Sequence, residues 1–213
     1  MSERLKPLSD NEGIIYEFNQ LSWQDQIQRF VNMGYASDLG ISEDEYRASL
    51  PSFADQPEQF RGHFDRALLV DPRVSLSIQL KDYVMPKQLR QKLAMYQPVL
   101  PAVADSAYQL WVQDGEAYQR VSIPEFNRKK LDFERGLTIA EGSALVREMP
   151  SVLQHGIALT GTRFQDPEWH HNGYLTPIFR VQGGRPTVLE QLDSLWPLRR
   201  AQIPTAGDIS LVK

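Results

Sequence analysis

The chain has 213 residues, a formal charge of -4, a pI near 5.6, and no cysteine. That length can bury roughly 70% of the unfolded surface without covalent staples, while the missing cysteine excludes disulfides, thiolate nucleophiles and sulfur-bound zinc. The acidic balance argues against non-specific nucleic-acid binding; no apolar run approaches the roughly 20 residues of a membrane span and MSERLKPLSDNEG lacks a signal core, so a soluble, cytoplasmic protein is expected.

Residues 1–13 read as a loose polar arm, followed by an apolar anchor at Ile14, Ile15, Tyr16 and Phe18. Ser22 and Asp25 open a helix whose stripe is Trp23, Ile27, Phe30 and Val31, and Gly34 with Tyr35 is a glycine stop. After the turn Leu39-Gly40-Ile41, Ser42 and Glu45 form a capping box for a short helix carrying Tyr46 and Leu50, which Pro51 ends. Residues 52–63 are an irregular or helical connector between prolines and Gly62.

Ala67 to Val70 is a short apolar strand stopped by Asp71-Pro72, and the alternation of Val74, Leu76, Ile78 and Leu80 predicts a second strand. Pro86 opens a helix to about Tyr96, with Leu89 and Leu93 inward and Lys87, Arg90 and Lys92 outward. Residues 97–106 read as a rigid crossing loop. Asp114-Gly115 between residues 108–113 and 116–121 predicts a hairpin, with Tyr108, Leu110 and Val112 on its core face and Trp111 on the other. Ser122, Pro124 and Glu125 start a further short helix with Phe126 inward, and Arg128-Lys129-Lys130 is its wet, basic end.

The stretch Arg135 to Arg163 dictates its own structure most strongly. Thr138 and Glu141 form a capping box, so Glu141 is assigned to its cap and both residues to structure rather than to acid–base chemistry, and Glu141→Gln is expected to cost less than Thr138→Ala. Ile139, Leu145, Val146, Met149, Val152 and Leu153 make one apolar stripe, Pro150 kinks or restarts the helix, and Gly156 closes it. Gly142 weakens the helix by roughly 1 kcal/mol against alanine, a cost consistent with close backbone packing. Ile157 to Thr160 then read as a buried strand ending at Gly161-Thr162-Arg163. Residues 165–175 form a polar loop, Pro177 to Val181 a strand, and Gly183-Gly184 a turn. For residues 187–200 the double glycine suggests a hairpin, but Thr187 with Glu190 and the helical spacing of Val188, Leu189, Leu192, Leu195 and Trp196 predict a helix, which is preferred. Residues 201–213 are a tail in which Ile209 to Val212 form an optional edge strand. Together these elements predict one α+β domain over residues 1–213: N-terminal helices followed by a mostly antiparallel sheet with packed helices.

The segments LTIAEGSALVREMPSVLQ, GTR and TPIFRVQGGRP, with the N-terminal MGYASDLGISEDEYRA, resemble a family of uncharacterised bacterial proteins known as a domain of unknown function. The sequence departs from that pattern after Gly184-Arg185-Pro186 and in the longer loop around His170. The resemblance implies a bacterial, cytoplasmic protein and carries no activity with it.

No nucleophile elbow, zincin motif, phosphate-cradling loop or dinucleotide fingerprint is present. Potential metal ligands cluster only at Glu168, His170 and His171, with His155 nearby in sequence. Adjacent histidines on extended backbone point to opposite sides, so neither a metal nor any other cofactor is expected. Arg163 is the best candidate functional residue, since it ends a short strand and its guanidinium suits carboxylate or phosphate; an anchoring pair with Asp166 or Glu168 is slightly preferred to ligand binding as its role. His170, His171, Trp169 and Tyr174 are weaker candidates, and Trp111 with these aromatics is more simply explained by burial. A non-catalytic binding or interaction protein is the preferred reading, its partner an unknown protein or a small anionic ligand. An unrecognised enzyme acting on a small anionic substrate near Arg163 is the alternative, and nucleic-acid binding through the basic helix at 86–96 trails both.

Overall fold

The structure, a computed structural model, describes residues 23–92, 97–98, 105–165, 174–192 and 202–207. Helices gather on the N-terminal side and antiparallel sheets follow, the α+β class expected from the sequence. In chain order the helices are α1 (residues 23–32), α2 (Tyr35–Asp38), α3 (Glu43–Ala48), α4 (Leu76–Gln79), α5 (Lys87–Lys92), α6 (Ile123–Lys129) and α7 (Ile139–Glu148). The strands are β1 (Arg66–Val70), β2 (Gln97–Pro98), β3 (Tyr108–Gln113), β4 (Glu134–Gly136), β5 (Ile157–Ala158), β6 (Thr162–Gln165), β7 (Tyr174–Gln182), β8 (Arg185–Leu192) and β9 (Thr205–Gly207).

The first three helices close around Trp23, Ile27, Phe30, Val31, Tyr35 and Tyr46, which form one apolar cluster with Leu69, Val74 and Ala107. Gly34 and Gly40 turn the chain in the left-handed region, and Ser42 and Glu45 exchange both bonds of their capping box. Ser22 and the anchor at residues 14–18 lie outside the described residues. The main core lies under α7, between two sheets: β1-β3-β9-β4, and a second in which β7 pairs with β8 on one side and with β5 and β6 on the other.

α7 begins as predicted. Thr138 Oγ1 accepts from the Glu141 N–H, and Glu141 Oε2 accepts from the Thr138 N–H at 2.7 Å. Its burial exceeds one stripe, because Glu141, Gly142, Ser143 and Ala144 are buried as well. Gly142 lies against the Leu159 side chain so closely that a Cβ there would collide with it, which accounts for a glycine in mid-helix. Pro150 restarts the chain as a short 3-10 turn, Pro150–Gln154, and Gly156 closes it with φ 73°.

Five expectations are corrected. The alternating segment at Val74–Leu80 is not a strand: residues Leu76–Gln79 form α4. Gln79 Nε2 donates to the carbonyls of Asp71 and Val74 and closes the turn, a side-chain clamp invisible to periodicity. Asp114-Gly115 does not make a hairpin. Gly115 takes the left-handed conformation but Asp114 does not, and the Asp114 carboxylate accepts from the Glu116 N–H to start a 3-10 turn, Glu116–Tyr118. β3 pairs instead with β1 and β9, and the backbone of Ile203 and Pro204 passes so close to Gly115 that a Cβ would clash. Residues Arg185–Leu192 are strand rather than helix: Gly183 and Gly184 both have positive φ, the requirement of a tight hairpin turn, and β7 pairs β8 from Gln182–Arg185 to Leu175–Leu192. Thr187 donates to the Arg185 carbonyl instead of capping a helix, and residues 193–200 lie outside the described residues. Finally, residues 202–207 are not tail. They are buried, and β9 sits between β3 and β4. Residues 208–213 fall outside the described residues, as do 93–96; Gln97–Pro98, expected in a crossing loop, pair with β6.

Several sheet edges are closed by other parts of the chain. Gln26 of α1 places its amide on the open edge of β1, donating to Ala67 O at 2.9 Å and accepting from Leu69 N at 2.7 Å. Val84 covers β8 by exchanging bonds with Pro186 and Val188, and Gln202 runs parallel to Ile157 beside β5. Such coverage removes the templates for edge-to-edge aggregation.

Candidate functional site

Arg163 is placed differently from the strand-end loop expected of it. It lies inside β6, where its backbone pairs with Gln97. Tyr174 opens β7 opposite Gln165, two residues along from Arg163, so these two candidates lie on neighbouring strands. Glu168, Trp169, His170 and His171 lie outside the described residues. His155 is exposed at the end of the 3-10 turn, and among the described residues no group of three or more His, Asp or Glu side chains is placed to hold a metal ion. Trp111 is buried with Phe60, Phe64 and Ala67, its ring edge-on to Phe53. On α5, Leu89 is buried while Lys87 and Arg90 are exposed.

The buried carboxylates of the described residues have their acceptor sites occupied from within the chain. Glu141, 1% exposed, accepts from Arg135 Nη1 at 2.9 Å and Nη2 at 2.6 Å, from the Tyr108 hydroxyl at 2.8 Å and from the Thr138 N–H. Burial pushes its carboxyl up, but the Arg135 charge and these hydrogen bonds outweigh burial and hold it below the ordinary carboxylate range. Glu134 accepts from Gln113, Thr205, Tyr118 and the Leu131 N–H, and so ties β3, β9 and β4 together. Asp71 accepts from Arg73 Nε and Nη2, both at 2.8 Å, and from the Arg73 N–H.

Unused polar capacity collects elsewhere. Among the described residues the buried side-chain atoms without a hydrogen-bond partner are the hydroxyls of Tyr35, Tyr46 and Tyr83, Arg66 Nε and Thr160 Oγ1. The three tyrosines lie along the seam between the helical cluster and the main core, Tyr35 and Tyr83 on the side of Arg147 near the end of α7 and Tyr46 beneath Arg73. The Arg147 guanidinium lies 5.6 Å from the Phe30 ring centroid and 5.7 Å from that of Tyr35, and its Nη2 donates to the Gln79 carbonyl at 2.6 Å. No carboxylate among the described residues lies within ion-pair distance of it: Glu148 is held by Arg29, and Asp71 by Arg73. Burial pushes the Tyr35 phenol up to about 12, and raises those of Tyr46 and Tyr83 further, so all three are protonated donors at neutral pH. The Tyr35 hydroxyl faces Arg147 and that of Tyr46 faces Asp71, neither at hydrogen-bonding geometry. Lys81 adds an exposed cation to the same seam, donating to the Met33 carbonyl. A shallow depression of about 440 Å³ lies nearby, lined by Val31, Gly34, Ala36, Ser37 and Gly40 to Glu43.

Sequence reasoning missed this seam because its members come from α1, α2, α3, α7 and the turn after α4. One signal was available. The consecutive residues Gly142, Ser143 and Ala144 carry small, uncharged side chains round most of the circumference of α7, which marks a helix packed on more than one side. An arginine one turn along such a helix is held against protein. No helix among the described residues is long and apolar enough to cross a membrane. No family model matches the sequence, and neither the curated proteins nor the solved structures give a match.

Proposed function

We propose that this chain is a non-catalytic binding protein of the cytoplasm that takes a small polar ligand at the Arg147 seam, and that it belongs with the bacterial family of unknown function whose segments it resembles. The observation that carries the reading is the division of polar groups. Glu134, Glu141 and Asp71 are saturated by donors, which removes them as general bases. Arg147 and three tyrosine hydroxyls retain donor capacity, and buried donors without acceptors cost stability unless a ligand or partner meets them. Stability given up in this way is typical of binding sites. The test is a thermal-shift screen of small metabolites followed by NMR of each hit. The reading expects at least one compound that raises the melting temperature saturably and is recovered unchanged; chemical conversion of the hit by the protein would contradict it.

A further inference from the structure

Among the described residues, Arg147 is a donor without an acceptor of opposite charge. Of its guanidinium, one N–H is engaged by a neutral carbonyl, that of Gln79, and the mutually stacked Phe30 and Tyr35 rings lie together to one side of it. Among the described residues, the carboxylates that face Arg147, Tyr35 and Tyr83 are committed elsewhere or wet: Glu148 to Arg29, Asp71 to Arg73, Asp38 to Ser75, and Asp82 exposed. The Tyr35 ring lies against the guanidinium, the turn whose Gln79 carbonyl it holds runs on to Tyr83, and among the described residues the hydroxyls of Tyr35 and Tyr83, 0% and 8% exposed, have no partner. The local excess is therefore of donors and of positive charge, with Lys81 adding a second cation at the rim. The complementary guest is acceptor-rich and negative, and small enough to reach hydroxyls under a partly exposed guanidinium.

Resting on the binding reading above, we infer that the seam is a site for one small oxyanion, a phosphate, sulfate or ligand-borne carboxylate, held by Arg147 with the hydroxyls of Tyr35 and Tyr83 donating to its oxygens. Arg147 supplies the charge and the way in from solvent. The tyrosines select for an oxyanion over chloride, because two directed O–H donors reward a guest with several acceptor oxygens.

The experiment titrates the full chain with sodium phosphate, sodium sulfate and sodium succinate against sodium chloride at matched ionic strength, read by calorimetry and thermal shift, for the wild type and for Arg147→Gln and Tyr83→Phe. Saturable binding of at least one oxyanion is expected, weakened about tenfold or more in Arg147→Gln, the usual consequence of losing a charge-assisted hydrogen bond. In Tyr83→Phe affinity drops several-fold while the anion-free melting temperature stays level or rises. Which anion saturates distinguishes an inorganic ligand from a carboxylate. Wild-type behaviour indistinguishable from chloride with all three anions, or unchanged affinity in both variants, would overturn the site and leave the binding reading standing. Phosphate release from p-nitrophenyl phosphate, lost in Arg147→Gln, would overturn the non-catalytic reading and leave the site standing.

Discussion

At the scale of single residues, Glu141 is the clearest case of a role larger than its motif. The capping box alone makes glutamine an adequate replacement, since an amide oxygen can still accept from the Thr138 N–H. The structure reverses that expectation, because the same carboxylate is the partner of Arg135 and of the Tyr108 hydroxyl in a buried site. Glu141→Gln leaves the Arg135 charge without its carboxylate and should cost about 3 kcal/mol in urea unfolding, against about 1 kcal/mol for Thr138→Ala. Equal losses in the two variants would return Glu141 to the rank of an ordinary cap. The pH dependence follows from the same contacts. With its folded pKa below the ordinary 4.5, Glu141 is protonated first in the unfolded chain, so its stabilisation is complete above that value and is lost as pH falls through the folded pKa. Glu148 works in the opposite sense: burial raises its carboxyl against the pull of Arg29, so the destabilisation present above its folded pKa is relieved as pH falls towards 4.5. The acid limb of stability should therefore be shallower in Glu141→Gln than in the wild type, measured by denaturation between about pH 3 and 6.

At the scale of elements, α1 is held to the sheet by one amide as well as by its apolar stripe. Gln26 substitutes for a neighbouring strand along β1, and Gln26→Leu leaves Ala67 O and Leu69 N buried without partners. A cost of about 2 kcal/mol or more is expected in chemical denaturation, and faster hydrogen exchange at the Leu69 amide; an unchanged Leu69 amide would show that the edge is closed by something else. Gln26 also marks where sequence reading stops. It lies within the stripe formed by Trp23, Ile27, Phe30 and Val31, and a polar side chain there signals a buried clamp only once its distant strand is known. Capping boxes at Ser42 and Thr138 were legible because donor and acceptor lie three residues apart. The path after Gly115 and the position of β9 depend on the Ile203–Pro204 backbone and on pairing across more than 60 residues, and the Val74–Leu80 turn on local Gln79 side-chain bonds that an apolar alternation does not show, so pattern pointed elsewhere. The β7–β8 hairpin was legible in Gly183-Gly184 and was outweighed by an accidental helical spacing of Val188, Leu189 and Leu192. The Arg147 seam was not legible at all, since its rings and charge come from segments far apart in the chain.

At the scale of the whole molecule, α7 joins what would otherwise be two bodies: its apolar stripe belongs to the core under the sheets, and Arg147 near its end reaches the rings of the helical cluster. Because β9 lies between β3 and β4, residues near the C-terminal end complete a sheet begun before residue 70. Such closure couples the two ends of the described chain, and a single cooperative transition is expected, with calorimetric and van't Hoff enthalpies equal. Two resolved transitions would show instead that the helical cluster melts alone. The account rests most heavily on the claim that some buried polar groups build the fold while those at the seam are held for a ligand. Paired urea titrations of Tyr108→Phe and Tyr83→Phe, in buffer free of oxyanions, test it most directly. Tyr108 donates to Glu141, and its loss should cost about 1 to 2 kcal/mol; Tyr83 donates to nothing among the described residues, and its loss should leave stability unchanged or higher. A Tyr83→Phe variant destabilised as much as Tyr108→Phe would mean that its hydroxyl serves the fold, and would contradict the assignment of the seam as a binding site.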